Sequence, residues 1–334
     1  MAHAHRLVRH GFRATAETAG YSGIETDKKR IYSKFELHPH AVWAIFAAID
    51  LLINKQMIDL HLHSTFSDGS LSPEQLVREA KKANLSAIAL TDHDSVSGVT
   101  LFLEACAREN IRGIAGVEIS VDYPHGTMHI LGYFVDYNSK ELNIHIEKLK
   151  AGRAARNADI LKKINNLGIT LTMAEVASFA GEGNVGRLHF AQALVARGYV
   201  GSNQEAFDRY LAKGKSVYVE RQRLTPNRGV AMIINAGGLA VLSHPFTIEL
   251  PPAALEKLVG ELTQAGLQGI EVYYPQHNPN LVKRYLALAQ RFNLVATGGT
   301  DFHGKAMPDI KIGRGFGSLN VPDSVLTRLE ERRK

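Results

Sequence analysis

Nine histidine, aspartate and glutamate positions in this 334-residue chain have the types and spacing to hold metal cations. The first two stand in Met57-Ile-Asp-Leu-His-Leu-His, where Ile58, Leu60 and Leu62 alternate with Asp59, His61 and His63. Such alternation marks a β-strand with two differently used faces. One face is aliphatic; the other carries a carboxylate and two imidazoles, which no apolar core accepts unpaired. Asp68 follows in a turn over Ser64–Gly69 and can reach back over the strand end. His93 closes the run Ala87-Ile-Ala-Leu-Thr-Asp-His, and Glu118 lies in Ile114-Ala-Gly-Val-Glu-Ile. His129 falls in Met128-His-Ile-Leu-Gly-Tyr-Phe-Val, His244 follows Leu239-Ala-Val-Leu-Ser, and Asp301 and His303 end Leu294-Val-Ala-Thr-Gly-Gly-Thr-Asp-Phe-His. A lone His-x-His is common on protein surfaces. Imidazoles and carboxylates recurring at the ends of separate strand-like runs are not.

These strands must be placed so that their ends meet. From Met57 onward strand-like and helix-like runs alternate, beginning with Ser72-Pro-Glu-Gln, which supplies an N-cap and a proline at the first helical position. The alternation predicts a mostly parallel α/β sheet, open or closed into a barrel. In a parallel barrel the strand C-termini share one face, so ligands distant in sequence converge there. From residue 139 to 228 the pattern turns helical, with Thr172-Met-Ala-Glu and Ser202-Asn-Gln-Glu as capping boxes, and we read an insertion lying over the site. The expected organisation is therefore a first barrel part over 57–138, a helical insertion over 139–228 and a second barrel part over 229–334. Residues 1–56 lack a convincing strand and are expected to be an N-terminal appendage outside the catalytic domain, with Met57 as an alternative start.

Charge follows the same division. Residues 57–149 hold 7 basic and 13 acidic residues, as suits a region that gathers cations, whereas residues 150–230 hold 13 basic and 6 acidic ones, as suits a surface facing an anion. The single cysteine, Cys106, excludes an internal disulfide and fits a reducing, cytoplasmic setting. No run reaches the roughly 18 apolar residues of a membrane span. No obligate protein partner is evident.

Imidazole and carboxylate without thiolate suit Mn, Zn or Fe. One ion takes three or four protein ligands and an open position. Nine candidates imply two or three ions with a bridging carboxylate. A pair about 3.5–4 Å apart is the arrangement that clamps the attacking and leaving oxygens of a phosphate displacement.

Taken as a set, His61-x-His63, Asp68, Thr91-Asp-His93-Asp, Gly116-Val-Glu118, Ser243-His244-Pro and Thr300-Asp301-x-His303 resemble the motifs of the PHP (polymerase and histidinol phosphatase) family of phosphoesterases. The resemblance covers about residues 57–135 and 235–320. It implies a distorted seven-stranded, TIM-like (β/α) barrel with a trinuclear centre, Mn being the first expectation. It further implies that His61, His63, Glu118 and Asp301 hold one ion. Glu118 would bridge to a second ion with His129 and His244, and Asp68, His93 and His303 would hold the third. His125 competes with His129; the latter is preferred because it lies in a strand pattern.

The insertion, with Gly186-Arg187-Leu-His189, resembles the subgroup that dephosphorylates nucleoside 3′,5′-bisphosphates and trims short RNA from its 5′ end. Arg187 could fork onto phosphate oxygens, and His189 could donate to the leaving oxygen. The competing account pairs Arg187 with an acid and makes His189 structural. Asp59 and Asp92 are expected to orient ligating imidazoles, Glu271 to support the site, and His277 to face solvent. The substrate is then a small anionic nucleotide such as adenosine 3′,5′-bisphosphate, or short 5′-phosphorylated RNA. Histidinol phosphatase is the alternative reaction, and a non-catalytic scaffold for a polymerase or nucleic acid the alternative of another kind.

Overall fold

The computed structural model describes residues 57–180, 185–220 and 223–334; the expected appendage over 1–56 lies outside the described residues. Eight strands form one sheet: β1 (Met57–Leu62), β2 (Leu85–Leu90), β3 (Arg112–Val121), β4 (Met128–Tyr133), β5 (Leu239–Leu242), β6 (Gly269–Tyr273), β7 (Val295–Gly298) and β8 (Val321–Pro322). Their order is β7-β6-β5-β4-β3-β2-β1-β8. The ring nearly closes beyond β7, where Phe302 bridges to Leu62: the His63 N–H donates to the Phe302 carbonyl at 3.1 Å. The outcome is a distorted barrel of seven strands, with two-residue β8 added antiparallel to β1.

Strand β4 departs from the parallel expectation by running antiparallel to both β3 and β5. A parallel neighbour needs a crossover of a dozen or more residues, and the chain from Val121 to Met128 is too short for one. His129 therefore reaches the catalytic face from the start of its strand, not the end.

Helices α1 (Pro73–Lys82), α2 (Val99–Glu109), α7 (Pro226–Asn235), α8 (Pro252–Gln264) and α9 (Pro279–Arg291) cover the strands, and α10 (Ser324–Arg333) ends the chain. The Ser72 hydroxyl accepts from Gln75 N–H while the Gln75 side chain accepts from Ser72 N–H, so the first capping box closes as read. Every residue of β1 is buried. Both faces of the sheet are covered, as in parallel α/β proteins generally: Leu62, Ile88, Leu90, Val117, Leu242 and Ile270 join one apolar cluster, and Ile58, Leu60, Ala89, Leu131 and Val241 another.

The insertion begins with α3 (Lys140–Asn166), followed by α4 (Met173–Ser178), α5 (Arg187–Ala196), α6 (Asn203–Ala206) and a π-helical turn, Phe207–Leu211. At 27 residues α3 is about 40 Å long. Its first turns bury Leu142, Ile146 and Leu149 in the barrel cluster, while Ile160 and Ile164 join a separate core with Leu171, Phe190, Leu194 and Leu211. The middle of the helix, with Arg153 and Arg156, lies between the two cores. At Ser202 the side chain caps Glu205 N–H, but Glu205 accepts from Gly201 N–H, so the second predicted box in the insertion is only half formed.

Candidate metal centre

All nine sequence-derived residues meet at one rim of the barrel. Glu118, from the middle of β3, is the hub. Its Oε2 lies 3.2 Å from His61 Nε2, 3.3 Å from His63 Nε2 and 3.0 Å from His93 Nδ1. Its Oε1 lies 3.0 Å from both His129 Nδ1 and His244 Nε2. Asp301 Oδ1 is 3.0 Å from His63 Nε2 and 3.3 Å from His61 Nε2. Asp68 Oδ1 is 3.2 Å from His303 Nε2, and its Oδ2 is 3.8 Å from His93 Nε2. Three overlapping groups have metal-ligand spacing: His61, His63, Glu118 and Asp301; His63, Asp68, His93 and His303; and His93, Glu118 and His129. His63 and His93 each serve two groups, a sharing that the sequence does not reveal. His244 joins the third group through Glu118 and lies 3.3 Å from His129 Nδ1. His125, the competitor of His129, is exposed.

Several of the imidazoles are oriented by a bond on their far nitrogen. His61 Nδ1–H donates to Glu271 Oε1 at 3.0 Å, His244 Nδ1–H to Thr247 Oγ1 at 2.8 Å, and His303 Nδ1–H to the Asp301 carbonyl at 2.8 Å. These tautomers follow from the acceptors present. In the neutral form they would leave Nε2 lone pairs facing carboxylate oxygens, which also offer only lone pairs, so a proton or a metal ion must lie between them. His63 Nε2, Asp68 Oδ1 and Asp301 Oδ1 are buried and make no hydrogen bond. A divalent cation can take the place of those protons, and the clustered nitrogen and oxygen donors have the chemistry and spacing to hold one.

The electrostatics agree. Burial alone would lower His63, yet Asp301 and Glu118 outweigh it and hold the imidazole up at about 10. His61 is likewise held well above its usual value against burial, by Glu271, Asp301 and Glu118. Burial would raise Glu118, but the surrounding imidazoles of His93, His61 and His129 keep it well below the usual carboxylate range. Four carboxylates, those of Asp68, Glu118, Glu271 and Asp301, thus gather in a site that is buried or nearly so, and such charge persists only when compensated.

Two supporting assignments change. Asp59 touches no imidazole ring: it accepts from Thr300 N–H (2.9 Å) and Oγ1–H (2.6 Å) and from Gly313 N–H (2.8 Å), tying β1 to the chain beyond β7. Asp92 accepts from Ser64 N–H and Oγ–H at 2.7 and 2.6 Å and from Ser67 Oγ–H at 2.5 Å, fixing the turn that carries Asp68, and it supports the His63 ring only indirectly, through the Ser67 hydroxyl 3.4 Å from His63 Nδ1. Both side chains are short, and backbone and hydroxyl donors meet their oxygens before any imidazole does. Tyr274 was not foreseen; its hydroxyl donates to Asp301 Oδ2 at 2.9 Å. His277 is buried, not solvent-facing, because its Nδ1–H donates to the Val272 carbonyl at 2.9 Å and its ring packs on Phe246, Tyr274 and Tyr285. Nothing in residue type separates these two from ordinary loop residues.

Backbone conformation at the rim is unusual. His244 and Asp301 adopt positive φ, +21° and +53°, which non-glycine residues rarely do and which clusters at functional sites. Gly299 passes so close to β1 that a Cβ there would lie 2.4 Å from His61 N, in keeping with the close approach read from Gly298-Gly299.

The insertion roofs this centre. A cavity of about 200 Å³ is bounded by Asp68, His93 and His129 from the barrel and by Arg153, Arg156, Arg187, His189 and Phe207 from the insertion, with Arg223 beside them. Arg153 pairs with buried Asp94, whose other oxygen accepts from Ser120 N–H at 2.9 Å. Arg187 pairs with no carboxylate among the described residues; it donates to the Leu211 carbonyl at 3.3 Å and lies over the rings of Phe207 and Tyr218. His189 is buried and accepts from Gly186 N–H on Nδ1 at 3.0 Å, which leaves the proton on Nε2. A larger cavity, about 720 Å³, opens beside β6 and α9, with Tyr274, Leu286 and Phe316 in its wall. It lacks a cluster of carboxylates and imidazoles, and the chemistry lies in the smaller one.

Comparison with known proteins agrees with this architecture. Residues 59–224 match the family model described as the PHP domain. The chain is 34% identical over 254 residues to the 3′,5′-nucleoside bisphosphate phosphatase of Chromobacterium violaceum, covering 74% of this chain and 87% of that protein. It is 33% identical over 258 residues to the 5′-3′ exoribonuclease Rnm of Escherichia coli, covering 77% and 88%. Among solved structures, an amidohydrolase from Chromobacterium violaceum with bound sulfate superposes with a TM-score of 0.73 at 31% identity, over 82% of this chain and 96% of that one. A Bifidobacterium adolescentis protein assigned to the metal-dependent phosphoesterases gives 0.74 at 26% identity, over 83% and 96%.

Proposed function

Because the chain belongs to the PHP family of metal-dependent phosphoesterases, we propose that it removes the 3′-phosphate of nucleoside 3′,5′-bisphosphates and trims short 5′-phosphorylated RNA from its 5′ end. The observation that carries this reading is the set of imidazole nitrogens and carboxylate oxygens facing one another at 3.0–3.3 Å beneath a roof of arginines. His61, His63, Glu118 and Asp301 would hold one ion; Glu118, His129 and His244 a second; Asp68, His93 and His303 a third, with manganese as the first choice. When bound, the cations supply positive charge to the transferring phosphoryl group and an activated water.

The chain's own groups bind and orient. Arg187, which forms no ion pair with a carboxylate among the described residues, neutralises a phosphate that is not being cut. His189 lines the cavity with its one proton on Nε2 and, as a neutral imidazole, donates a hydrogen bond to the leaving oxygen without giving the proton up. Both substrates present the same bond: the one between phosphorus and the 3′ oxygen of a 5′-phosphorylated nucleotide. One centre thus accounts for the two activities named for the relatives. The single cysteine is buried, in keeping with a reducing cytoplasmic setting.

The test is phosphate or nucleotide release from adenosine 3′,5′-bisphosphate, AMP, histidinol phosphate and 5′-phosphorylated dinucleotides, after loading with Mn, Zn or Fe. Turnover of the first and last substrates is expected. Turnover of histidinol phosphate alone would replace this reading with the alternative phosphatase. No release from any substrate, together with no bound metal, would replace it with a non-catalytic scaffold.

A further inference from the structure

Arg223 belongs to none of the motifs that identify the family resemblance, yet it lines the cavity over the metal centre. Its backbone is held by the barrel: the neighbouring Leu224 bridges to Val121, and the Asp122 N–H donates to the Leu224 carbonyl at 2.7 Å. Its side chain, by contrast, is uncommitted. Among the described residues no carboxylate or carbonyl pairs with the guanidinium, and its Nε is buried without a hydrogen-bond partner. The acid nearest along the chain, Glu220, accepts from the Tyr218 hydroxyl at 2.9 Å. The same cavity is lined by Arg187, which pairs with no carboxylate among the described residues and is positioned by Phe207, Tyr218 and the Leu211 carbonyl. Two partly buried guanidiniums sharing one small space repel each other and lose hydration, a cost that an anion between them reverses.

We propose that Arg223 is a specificity-determining residue that, together with Arg187 in the same cavity, clamps the 5′-phosphate of the nucleotide whose 3′-phosphate is cleaved. The inference rests on the phosphoesterase reading and extends it. The clamp has one jaw fixed to the barrel next to β3 and one carried by α5 of the insertion, so a substrate must reach from the metal ions to both. A 3′-monophosphate leaves the clamp empty. Both a bisphosphate and a 5′-phosphorylated RNA fill it. Burial and the neighbouring Arg223 together lower the Arg187 guanidinium from its ordinary value, in the direction that an absent anion predicts.

The experiment compares wild type, Arg223→Ala, Arg223→Gln and Arg223→Lys, full-length and manganese-loaded, on adenosine 3′,5′-bisphosphate and adenosine 3′-monophosphate. For Arg223→Ala and Arg223→Gln, kcat/KM on the bisphosphate is expected to fall about 10- to 100-fold, the size of a charge-assisted contact, mainly through KM. The fall on the monophosphate should stay within about threefold, with Arg223→Lys recovering part of the loss as a point charge without the fork. Equal falls on both substrates, or none on the bisphosphate, would overturn the assignment. Calorimetric titration of the metal-free proteins with adenosine 3′,5′-bisphosphate separates this from the fate of the reaction itself. Weaker binding in Arg223→Ala supports the clamp even if wild type turns nothing over, and unchanged binding overturns it.

Discussion

Five imidazoles converge on one carboxylate, Glu118, and every one of them lies within 3.3 Å of it. Glu118→Gln keeps the shape but halves the acceptor capacity and removes the charge. Bound metal, measured by elemental analysis, is expected to drop by at least one equivalent, with activity falling by about 10²-fold or more. Glu271→Gln and Tyr274→Phe probe the layer behind it, at His61 Nδ1 and Asp301 Oδ2. Each should weaken metal affinity by about 10- to 100-fold without unfolding the chain, as read by competition with a chelator. The pH dependence has a definite sign. In the ion-free site His63 is held up at about 10 and His61 is also raised, so both carry protons at neutral pH. Cations must displace these protons, and Mn²⁺ added in weak buffer at pH 7 should release at least one proton per chain, with affinity rising as pH rises. For His63 the raised folded value stabilises the ion-free protein fully below its ordinary 6.5, and that contribution is lost as pH climbs through about 10. The melting temperature of chelator-treated protein should therefore decline over this window more than that of loaded protein.

At the level of elements, the centre depends on where strands begin and end and on how closely they pass. The turn between β3 and β4 is too short for a crossover, so β4 runs backwards and delivers His129 from its second residue. Gly299 lets the segment after β7 run against β1 beside His61. Gly299→Ala would put a methyl group 2.4 Å from His61 N, on backbone that cannot yield cheaply. It is expected to cost about 1–3 kcal/mol or more in thermal unfolding and to reduce metal binding with it. Helix α3 spans both cores, and Ile160 is fully buried in that of the insertion. Ile160→Ala should cost about 2–5 kcal/mol there, loosening the roof that carries Arg187 while leaving the barrel ligands in place. A rise in KM for the bisphosphate with unchanged metal content would report that separation; loss of metal would show that roof and centre are not separable.

Across the whole molecule charge is sorted by task. The carboxylates gather in the barrel rim and the arginines in the roof, so an anionic substrate entering between them meets cations on both sides once the metal ions are bound. Raising the ionic strength from low to about 0.5 M should raise KM for the bisphosphate more than for an uncharged-tail aryl phosphate, since exposed parts of this field are screened. Among the described residues no helix is long and apolar enough to cross a membrane.

The chain by itself determined the strand–helix alternation, the helical insertion and the nine clustered residues, because period and residue type are local properties that survive in one dimension. The same local reading chose His129 over His125: a strand pattern is visible in sequence, and so is a Pro/Gly turn. Tertiary structure alone decided the rest. It showed which nitrogen faces which oxygen, that His63 and His93 are shared between groups, that Asp59 and Asp92 bind backbone and hydroxyls, that Tyr274 holds Asp301 from behind, and which imidazole the expected support from Glu271 reaches. Arg223, an unremarkable arginine in a basic stretch, became a candidate clamp only once its lack of a carboxylate partner among the described residues could be seen. Partnership between residues a hundred or more positions apart is set by barrel closure and packing, and no local pattern encodes it.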